Sequence, residues 1–246
     1  LEEDDFFGDS VTAGDFDGDG YLDLAVGVPG EDVGAIGNAG AVNVLYGSSA
    51  GLSTAPGTTA NSLWTQGDLG SSQDEASDEF GHALVAGDWN DDGRDDLAVG
   101  APRENWGAVI DAGAVFVILG SDNGLTALGQ QVRTQDDGGI PGDADADDHF
   151  GSSLASGDFD GDGVEDLAVG SPGENVGGES EFGLVHVLPG VPGLGVSSQA
   201  SAMIDRSQLA GLAASGDRFG AALAAGNFDG GSAAELVIAA PGAEVA

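Results

Sequence analysis

A motif that occurs four times along the chain constrains its fold more than any other feature of the sequence. Each copy begins with Phe-Gly and an alternating apolar segment, continues through an acidic loop, and ends in a second apolar segment. The copies begin at Phe7, Phe80, Phe150 and Phe219, which are 73, 70 and 69 residues apart. Repetition at a nearly fixed period is typical of architectures that stack one supersecondary unit several times.

The apolar segments of each copy predict β-strands. The first segment alternates with a period of two residues, and the second, such as 24–26, is apolar on both faces and ends at Gly-Pro. A third segment completes the first three copies, at 40–47, 113–120 and 183–190, and weaker fourth strands are indicated at 62–66, 130–135 and 201–205. Short Ala-rich segments such as 208–215 could form at most a helical turn.

Four short antiparallel strands per copy predict an all-β chain that forms a β-propeller. We expect three complete four-stranded blades and half of a fourth, because the last copy lacks its third and fourth strands. The predicted units span about 7–79, 80–149, 150–218 and, for the partial unit, 219–246. A β-solenoid is the alternative, but the coils of solenoids are much shorter than these units.

The acidic loops contain oxygen-bearing side chains at alternate positions, followed by Gly at position 6. Positions 1, 3, 5 and 9 are Asp15, Asp17, Asp19 and Asp23 in the first loop, Asp88, Asn90, Asp92 and Asp96 in the second, and Asp158, Asp160, Asp162 and Asp166 in the third. Position 7 would add a backbone carbonyl, from Tyr21, Arg94 or Val164. Because Ca²⁺ takes six to eight oxygen ligands, the pattern predicts three calcium sites.

Other interpretations of these loops are weaker. An EF-hand needs Glu at position 12, where the chain has Val26, Val99 and Val169, and strands rather than helices flank each loop. Asp and Gly also dominate ordinary turns, but three equivalent loops with this many carboxylates would repel strongly without a cation. The fourth loop, Asn227–Glu235, lacks a side chain at Gly231, so we expect it to be empty or weak.

The order of Phe-Gly, calcium loop and Gly-Ala-Pro resembles the FG-GAP repeats of the integrin alpha-subunit propeller and its bacterial relatives. The resemblance covers essentially the whole chain. It implies blades with the strand order given above, Ca²⁺ held by the loop residues already named, and calcium loops on the face away from the usual ligand surface. Propellers of that family commonly have seven blades, so this chain departs from the pattern in its number of units.

The overall charge limits the kinds of partner. The chain has 43 Asp and Glu against 5 Arg and no Lys, a formal net charge of −38, so nucleic acid and anionic membranes would repel it. The sequence contains no apolar run long enough to insert directly into a membrane. With no Cys, disulfides and thiolate metal sites are excluded.

Nothing in the sequence predicts catalysis. His82, His149 and His186 each have a strand or turn explanation, and no nucleophile or metalloprotease motif occurs. The exposed pair expected at Arg103 and Trp106 could be a binding hot spot, although a Trp that covers a seam between blades is the simpler interpretation. The run of Asp143, Asp145, Asp147 and Asp148 could hold another cation, but a solvated loop is the simpler interpretation there.

These observations predict a calcium-binding, non-catalytic adhesion or recognition module, secreted or at the cell surface, that binds a protein or glycan ligand. The alternative is a calcium-stabilised scaffold domain of a larger secreted hydrolase. The half-built blade would expose the strand at 235–240, so we expect self-association there or coverage by further blades.

Overall fold

A computed structural model describes residues 4–52, 61–70, 75–176, 180–209 and 214–243. The described chain is almost entirely β, with two short 3-10 helices at Gln66–Leu69 and Arg206–Leu209. The helical turn considered at 208–215 falls partly on the second of these and partly outside the described residues. The prediction of an all-β chain is therefore confirmed.

The strands form three four-stranded and two two-stranded antiparallel sheets, and each sheet is built from strands of one copy of the repeat. The first blade contains β1 (Val11–Gly14), β2 (Asp23–Val28), β3 (Ala41–Leu45) and β4 (Ser62–Trp64); the second contains β5 (Ala83–Gly87), β6 (Asp96–Ala101), β7 (Ala114–Leu119) and β8 (Thr126–Arg133). The third contains β9 (Ser153–Gly157), β10 (Asp166–Ser171), β11 (Leu184–Leu188) and β14 (Ala202–Ile204), and the half-blade contains β15 (Leu223–Gly226) and β16 (Glu235–Ile238). This is the predicted arrangement of three complete blades and half of a fourth.

The blades stand side by side, with their first strands toward a common axis. Strand β5 contacts both β1 and β9, and β9 also contacts β15. A separate apolar core fills each of the three interfaces between neighbouring blades. Between the first two blades, for example, Val42 and Val44 pack with Phe80, Val99 and Phe116. Side chains alternate across each strand, so the two faces of a blade serve two different interfaces.

The Phe-Gly and Gly-Pro segments of the repeat meet across these interfaces. Phe80 is fully buried and packs edge-on against Phe116, with ring centroids 5.4 Å apart. Across the first interface, the N–H of Phe80 donates to the carbonyl of Ala39 at 3.1 Å, and the hydroxyl of Ser10 donates to the carbonyl of Gly81 at 2.6 Å. The motif therefore joins one blade to the blade before it.

Two features of the outer part of the blades were not predicted. A small hairpin, β12 (Gly190–Val191) with β13 (Gly195–Val196), follows β11, and its backbone bonds the preceding blade through Val191 N–H to the Trp89 carbonyl at 3.0 Å. Strand β8 is longer than expected and begins at Thr126, because a β-bulge shifts its register between Val117 and Leu119 of β7.

The close backbone approach at Gly113 gives a test of this packing. A Cβ atom there would lie 2.2 Å from the carbonyl oxygen of Phe150, and φ is +87°. Gly107 is the matched control, because its φ is +65° but nothing lies within 4 Å of a Cβ. We expect Gly107→Ala to lower the free energy of unfolding by about 1 kcal/mol and Gly113→Ala by about 1–3 kcal/mol more. Urea unfolding measures both, and equal losses would contradict this packing.

Candidate metal centres

Each of the first three acidic loops connects the first strand of a blade to the second, and each is folded around its first Asp. The carboxylate of Asp15 accepts the N–H groups of Asp19 at 3.1 Å and Gly20 at 2.9 Å. The carboxylates of Asp88 and Asp158 accept the equivalent N–H groups of the second and third loops. Gly at position 6 permits this tight turn, with φ of +88° at Gly20, +86° at Gly93 and +96° at Gly163.

The ninth residue fastens each loop to the rest of its blade. The two carboxylate oxygens of Asp23 accept N–H groups from Phe16 at 2.9 Å and from Gly47 at 2.7 Å. Asp166 does the same with Phe159 and Gly190, and Asp96 accepts the N–H of Gly120 at 2.9 Å. The three ninth-position carboxylates are buried, so the loop is held between its own start and the end of the third strand.

Carboxylate oxygens converge in two of these loops. One oxygen from each of Asp15, Asp17 and Asp19 lies within 4.8 Å of the others, and the same holds for Asp158, Asp160 and Asp166. The predicted side chains of Asp23 and Asp162 lie outside these two sets of three. The seventh residues, Tyr21, Arg94 and Val164, donate their N–H groups to the fifth-position Asp of their own loops at 2.9–3.0 Å.

The second loop shows most directly that its side chains suit a cation. Asn90 Oδ1 and Asp96 Oδ2 are buried and accept no hydrogen bond, while Asn90 Nδ2 lies 3.4 Å from Asp96 Oδ1. Buried oxygen acceptors without partners are costly, and a hard cation takes such oxygens as ligands. The donor set of all three loops consists of oxygen atoms, which fits Ca²⁺.

Burial and like charges make these loops unfavourable when all carboxylates are ionised. The pKa of Asp23 is raised to about 6, chiefly by burial and also by the negative charges of Asp17 and Asp15, against two backbone N–H bonds that lower it. Burial likewise raises the pKa of Asp96 to about 7, and that of Asp166 is raised for the same reason. A bound cation would relieve both effects.

The fourth loop uses its polar groups within itself. Asn227 Oδ1 accepts the N–H of Gly230 at 2.7 Å, Asn227 Nδ2 donates to the carbonyl of Gly231 at 2.8 Å, and Asp229 accepts the N–H of Gly231 at 2.6 Å. Glu235 takes the fastening role of the ninth residue by accepting the N–H of Phe228 at 2.7 Å. Two carboxylates remain for a metal, so weak binding there stays a prediction.

Neighbouring loops are linked by residues that sequence reasoning missed. The carboxylate of Asp95, the eighth residue of the second loop, accepts the N–H of Asp15 at 2.8 Å, and its own N–H donates to the carbonyl of Asp15 at 3.1 Å. In the third loop, Glu165 occupies the same position, and its carboxyl group has a hydrogen bond with the backbone of Asp88 in the second loop. An acid at position 8 was the available signal, but its partner lies in another blade.

A further acidic cluster lies between the second and third blades. Atoms of Asp111, Asp147 and His149 lie within 4.8 Å of one another, and burial lowers the pKa of His149. The acidic run from Asp143 to Asp148, for which a solvated loop was the simpler interpretation, is exposed at Asp147, which belongs to this cluster, whereas Asp148 is fully buried and contacts Glu174.

The other side chains singled out in the sequence have ordinary partners. His82 lies 3.5 Å from Glu79, and buried His186 contacts the carbonyl of Pro141 at 2.9 Å. Arg103 and Trp106 are both exposed in the loop between β6 and β7, and Arg103 lies 3.4 Å from the Glu79 carboxylate.

Comparison with known proteins places this architecture and these loops in one class, the FG-GAP repeat. The FG-GAP repeat family matches residues 7–45, 80–118 and 150–188. Integrin alpha-5 of Xenopus laevis is 34% identical over 207 residues, and integrin alpha-PS2 of Drosophila melanogaster is 29% identical over 249 residues, 82% and 98% of this chain respectively. The chain is therefore an FG-GAP, integrin-like propeller-type domain.

Two other similarities come from proteins with enzyme names. Phosphatidylinositol-glycan-specific phospholipase D of Mus musculus is 35% identical over 175 residues, 71% of this chain. The crystal structure of rhamnogalacturonan lyase YesW matches 94% of this chain and 39% of its own with a TM-score of 0.52 at 15% identity, which shows a similar fold.

The chain corresponds to a small part of these relatives. It spans 17% of the Xenopus integrin, 16% of the Drosophila integrin and 19% of the mouse phospholipase. None of the helices in the described ranges is long and apolar enough to cross a membrane.

The raised pKa values predict how the metal-free chain responds to pH. Folded Asp96 and Asp23 have pKa values of about 7 and about 6, above that of an Asp in an unfolded chain, so the folded state binds more protons in this window. In EDTA, the free energy of unfolding should therefore fall as pH rises from about 4 to about 7. Asp96→Asn should reduce this fall, as measured by urea unfolding across the window.

Asp229→Asn is the control for this measurement, because it neutralises an exposed carboxylate of the fourth loop. Its pH profile should follow that of the unchanged chain. If Asp96→Asn and Asp229→Asn give the same profile, the burial of Asp96 is not what makes the metal-free protein sensitive to pH.

Proposed function

We propose that this domain is a calcium-stabilised, non-catalytic recognition module that works outside the cell or at its surface. The observation that carries the proposal is the convergence of carboxylate oxygens in the equivalent loops of the first and third blades. The proposed ligands are the side chains at positions 1, 3, 5 and 9 of the first three loops, with the position 7 carbonyls. The cation would offset the excess of negative charge in these loops, of which only the second contains a cationic side chain, Arg94.

Several contacts support Ca²⁺ as the cation. All proposed ligands are oxygens, and the buried acceptors Asn90 Oδ1 and Asp96 Oδ2 have no hydrogen-bond partner. The chain carries a formal net charge of −38, so three divalent cations would also reduce its overall self-repulsion. Extracellular calcium modules need affinities of only about 10⁻⁴ to 10⁻³ M, which suits loops that are partly exposed.

The first and ninth residues of each loop would have different roles in holding the cation. The first Asp already holds the turn through two N–H groups, and its oxygens would face the cation as well. The ninth Asp would connect the cation to the start of the loop and to the end of the third strand. Calcium would thus hold three segments of one blade together.

A recognition role is supported by the integrin alpha relatives and by the absence of a catalytic motif in the sequence. Arg103 and Trp106 are exposed on one loop, with 50% of the Arg103 side chain accessible. Arg and Trp are enriched among residues that dominate binding energy, so this loop is where we expect a protein or glycan ligand to bind.

A second candidate function is a non-catalytic scaffold in a larger secreted hydrolase. It is favoured by the name of the mouse relative, a phospholipase D of which this chain matches 19%. Sequencing the complete reading frame separates the two. A catalytic domain beside the propeller supports the scaffold, whereas a transmembrane or lipid-anchor segment supports adhesion.

Calcium should stabilise the folded chain through the three loops. At a hundredfold excess over the dissociation constant, each ion should add about 2.7 kcal/mol to the free energy of unfolding. Asp158→Ala should remove the contribution of one ion. Asp229→Ala, in the fourth loop, should leave the calcium response unchanged. Differential scanning calorimetry with EDTA and with Ca²⁺ measures both.

Calcium-binding stoichiometry by isothermal titration gives an independent readout. The unchanged chain and Asp229→Ala should bind the same number of ions, and Asp158→Ala one fewer. An unchanged melting temperature on adding millimolar Ca²⁺, together with no heat of binding, would end the calcium proposal.

We also propose that further blades cover the two ends of the row, either from a longer protein or from a second copy. Phe7 is 55% exposed, whereas its equivalents Phe80 and Phe150 are fully buried against a preceding blade. At the other end, β16 pairs only with β15, and Val237 is 51% exposed. Apolar faces and unpaired strand edges of this kind recruit other strands.

Val237→Asp should therefore weaken self-association of the isolated chain, because it places a charge on the exposed face of the edge strand. Leu128→Asp is the control, since Leu128 is 83% exposed on β8 of a complete blade. Light scattering over a concentration series measures the effect. A monomer at high concentration, with ordinary hydrogen-exchange protection at 235–240, would contradict the exposed-edge account.

A further inference from the structure

A buried polar cluster lies between the second and third blades, away from the acidic loops. It consists of Gln135 after the outer strand β8, Asp148 just before the Phe-Gly of the third copy, and Glu174 after the Gly-Pro of the same copy. We call it the second-interface cluster. Its three side chains are 1%, 0% and 6% exposed, respectively.

The contacts within the second-interface cluster join two carboxylates and one amide. Gln135 Nε2 donates to Glu174 Oε2 at 2.5 Å, and the carboxyl groups of Glu174 and Asp148 contact each other. The other oxygen of Asp148, Oδ2, accepts the N–H of Asp145 at 2.7 Å. Two buried acids in contact are strongly unfavourable unless a positive charge or a proton neutralises them.

The arginines of the chain are used elsewhere. Their ion pairs are Arg94 with Asp92 and Asp122, Arg103 with Glu79, Arg133 with Asp137, Arg206 with Asp217, and Arg218 with Glu181. Burial lowers the pKa of His149, next to Asp148 in the chain, and of His186, so neither histidine is favoured as a cation here. A positive charge at the second-interface cluster would therefore have to come from outside the chain.

Two oxygens of the cluster have no partner within the described residues. Asp148 Oδ1 and Gln135 Oε1 are buried and accept no hydrogen bond. A proton shared between Asp148 and Glu174 would neutralise one charge, but it would supply no donor to Gln135 Oε1. A metal ion would accept lone pairs from both oxygens at once.

The third interface shows what the same position looks like when the chain supplies its own cation. Arg206 stands where Gln135 stands in the previous copy, and its Nη1 lies 2.6 Å from Oδ2 of Asp217, the equivalent of Asp148. Ala243 replaces Glu174. The third interface therefore holds one acid and one guanidinium, whereas the second holds two acids and a neutral amide.

From these contacts we propose that the second-interface cluster binds one hard divalent cation, with Ca²⁺ as the natural candidate. Carboxylate oxygens of Asp148 and Glu174 and the Oε1 atom of Gln135 are its ligands. The ion takes the place that the Arg206 guanidinium occupies one blade later. It fastens the outer part of the second blade to the third, independently of the calcium loops.

The double variant Gln135→Arg with Glu174→Ala tests this site, because it copies the third interface. After treatment with chelator, equilibrium dialysis with radioactive calcium should show one ion fewer per chain than in the unchanged protein. In EDTA the melting temperature of the double variant should equal or exceed that of the unchanged chain, since the new guanidinium replaces the missing ion. Asp160→Ala is the matched control and should lose one loop ion without changing the cluster.

The possible results separate this proposal from that of the loops. A folded double variant that binds as many ions as the unchanged chain overturns the cluster site, whatever Asp160→Ala does. If the double variant does not fold, Glu174→Gln provides the test, because it keeps the shape and removes one charge. We expect it to weaken one site by tenfold or more, and an unchanged binding curve would overturn the proposal.

A crystal grown with calcium provides the direct readout. Anomalous difference density between Asp148 and Glu174 supports the site. Density there without an anomalous signal means that a water molecule fills the cluster, and no density there means that a shared proton satisfies it; either result makes the cation proposal wrong.

Discussion

The close backbone contact between successive blades is the constraint on which the other features depend. At Gly27, Gly100 and Gly170, an added Cβ would lie 2.1–2.2 Å from a carbonyl oxygen of the next Phe-Gly segment. Blades can approach this closely only because these positions lack side chains. The approach seats Phe80 and Phe150 in the interface cores and sets the distance at which the acidic loops of neighbouring blades meet. The repeat motif is thus chiefly a docking device between blades, with the loop placed beside it.

Much of this arrangement could be predicted from the sequence, because strand alternation and the acidic loops are encoded by residues close together in the chain. The number and order of the blades could be predicted because one pattern occurs four times along the chain. The β12–β13 hairpin could not be predicted, because its sequence of Gly, Val and Pro signals only a turn and its partner, Trp89, lies in another blade. The link from Asp95 to Asp15 and the bond from Gln135 to Glu174 join residues 80 and 39 positions apart. Such pairs become visible only once neighbouring blades are placed.

The acids of the chain fall into three groups with different physical roles. Many lie on the surface, where water and salt screen them. Those in the first and third loops face one another across short distances, and Asp23, Asp96 and Asp166 accept hydrogen bonds from backbone N–H groups. A third group, including Asp148, Glu174 and Asp217, lies buried between blades. The formal net charge alone does not show this division. The acids buried between blades matter most for how the blades are joined.

Each blade is built from strands of one copy of the repeat, and only the small β12–β13 hairpin interrupts their order along the chain. Most hydrogen-bonded contacts within a blade therefore close short loops, which favours rapid formation of one blade before it docks on the next. Because each blade is formed by one continuous segment, a blade can also be duplicated as a unit. Duplication of one seventy-residue segment yields a piece that already carries its own sheet, its own acidic loop and both complementary docking faces. A gene encoding such a chain can lengthen by whole blades without redesigning those already present, as expected for repeat proteins stabilised by nearest-neighbour contacts.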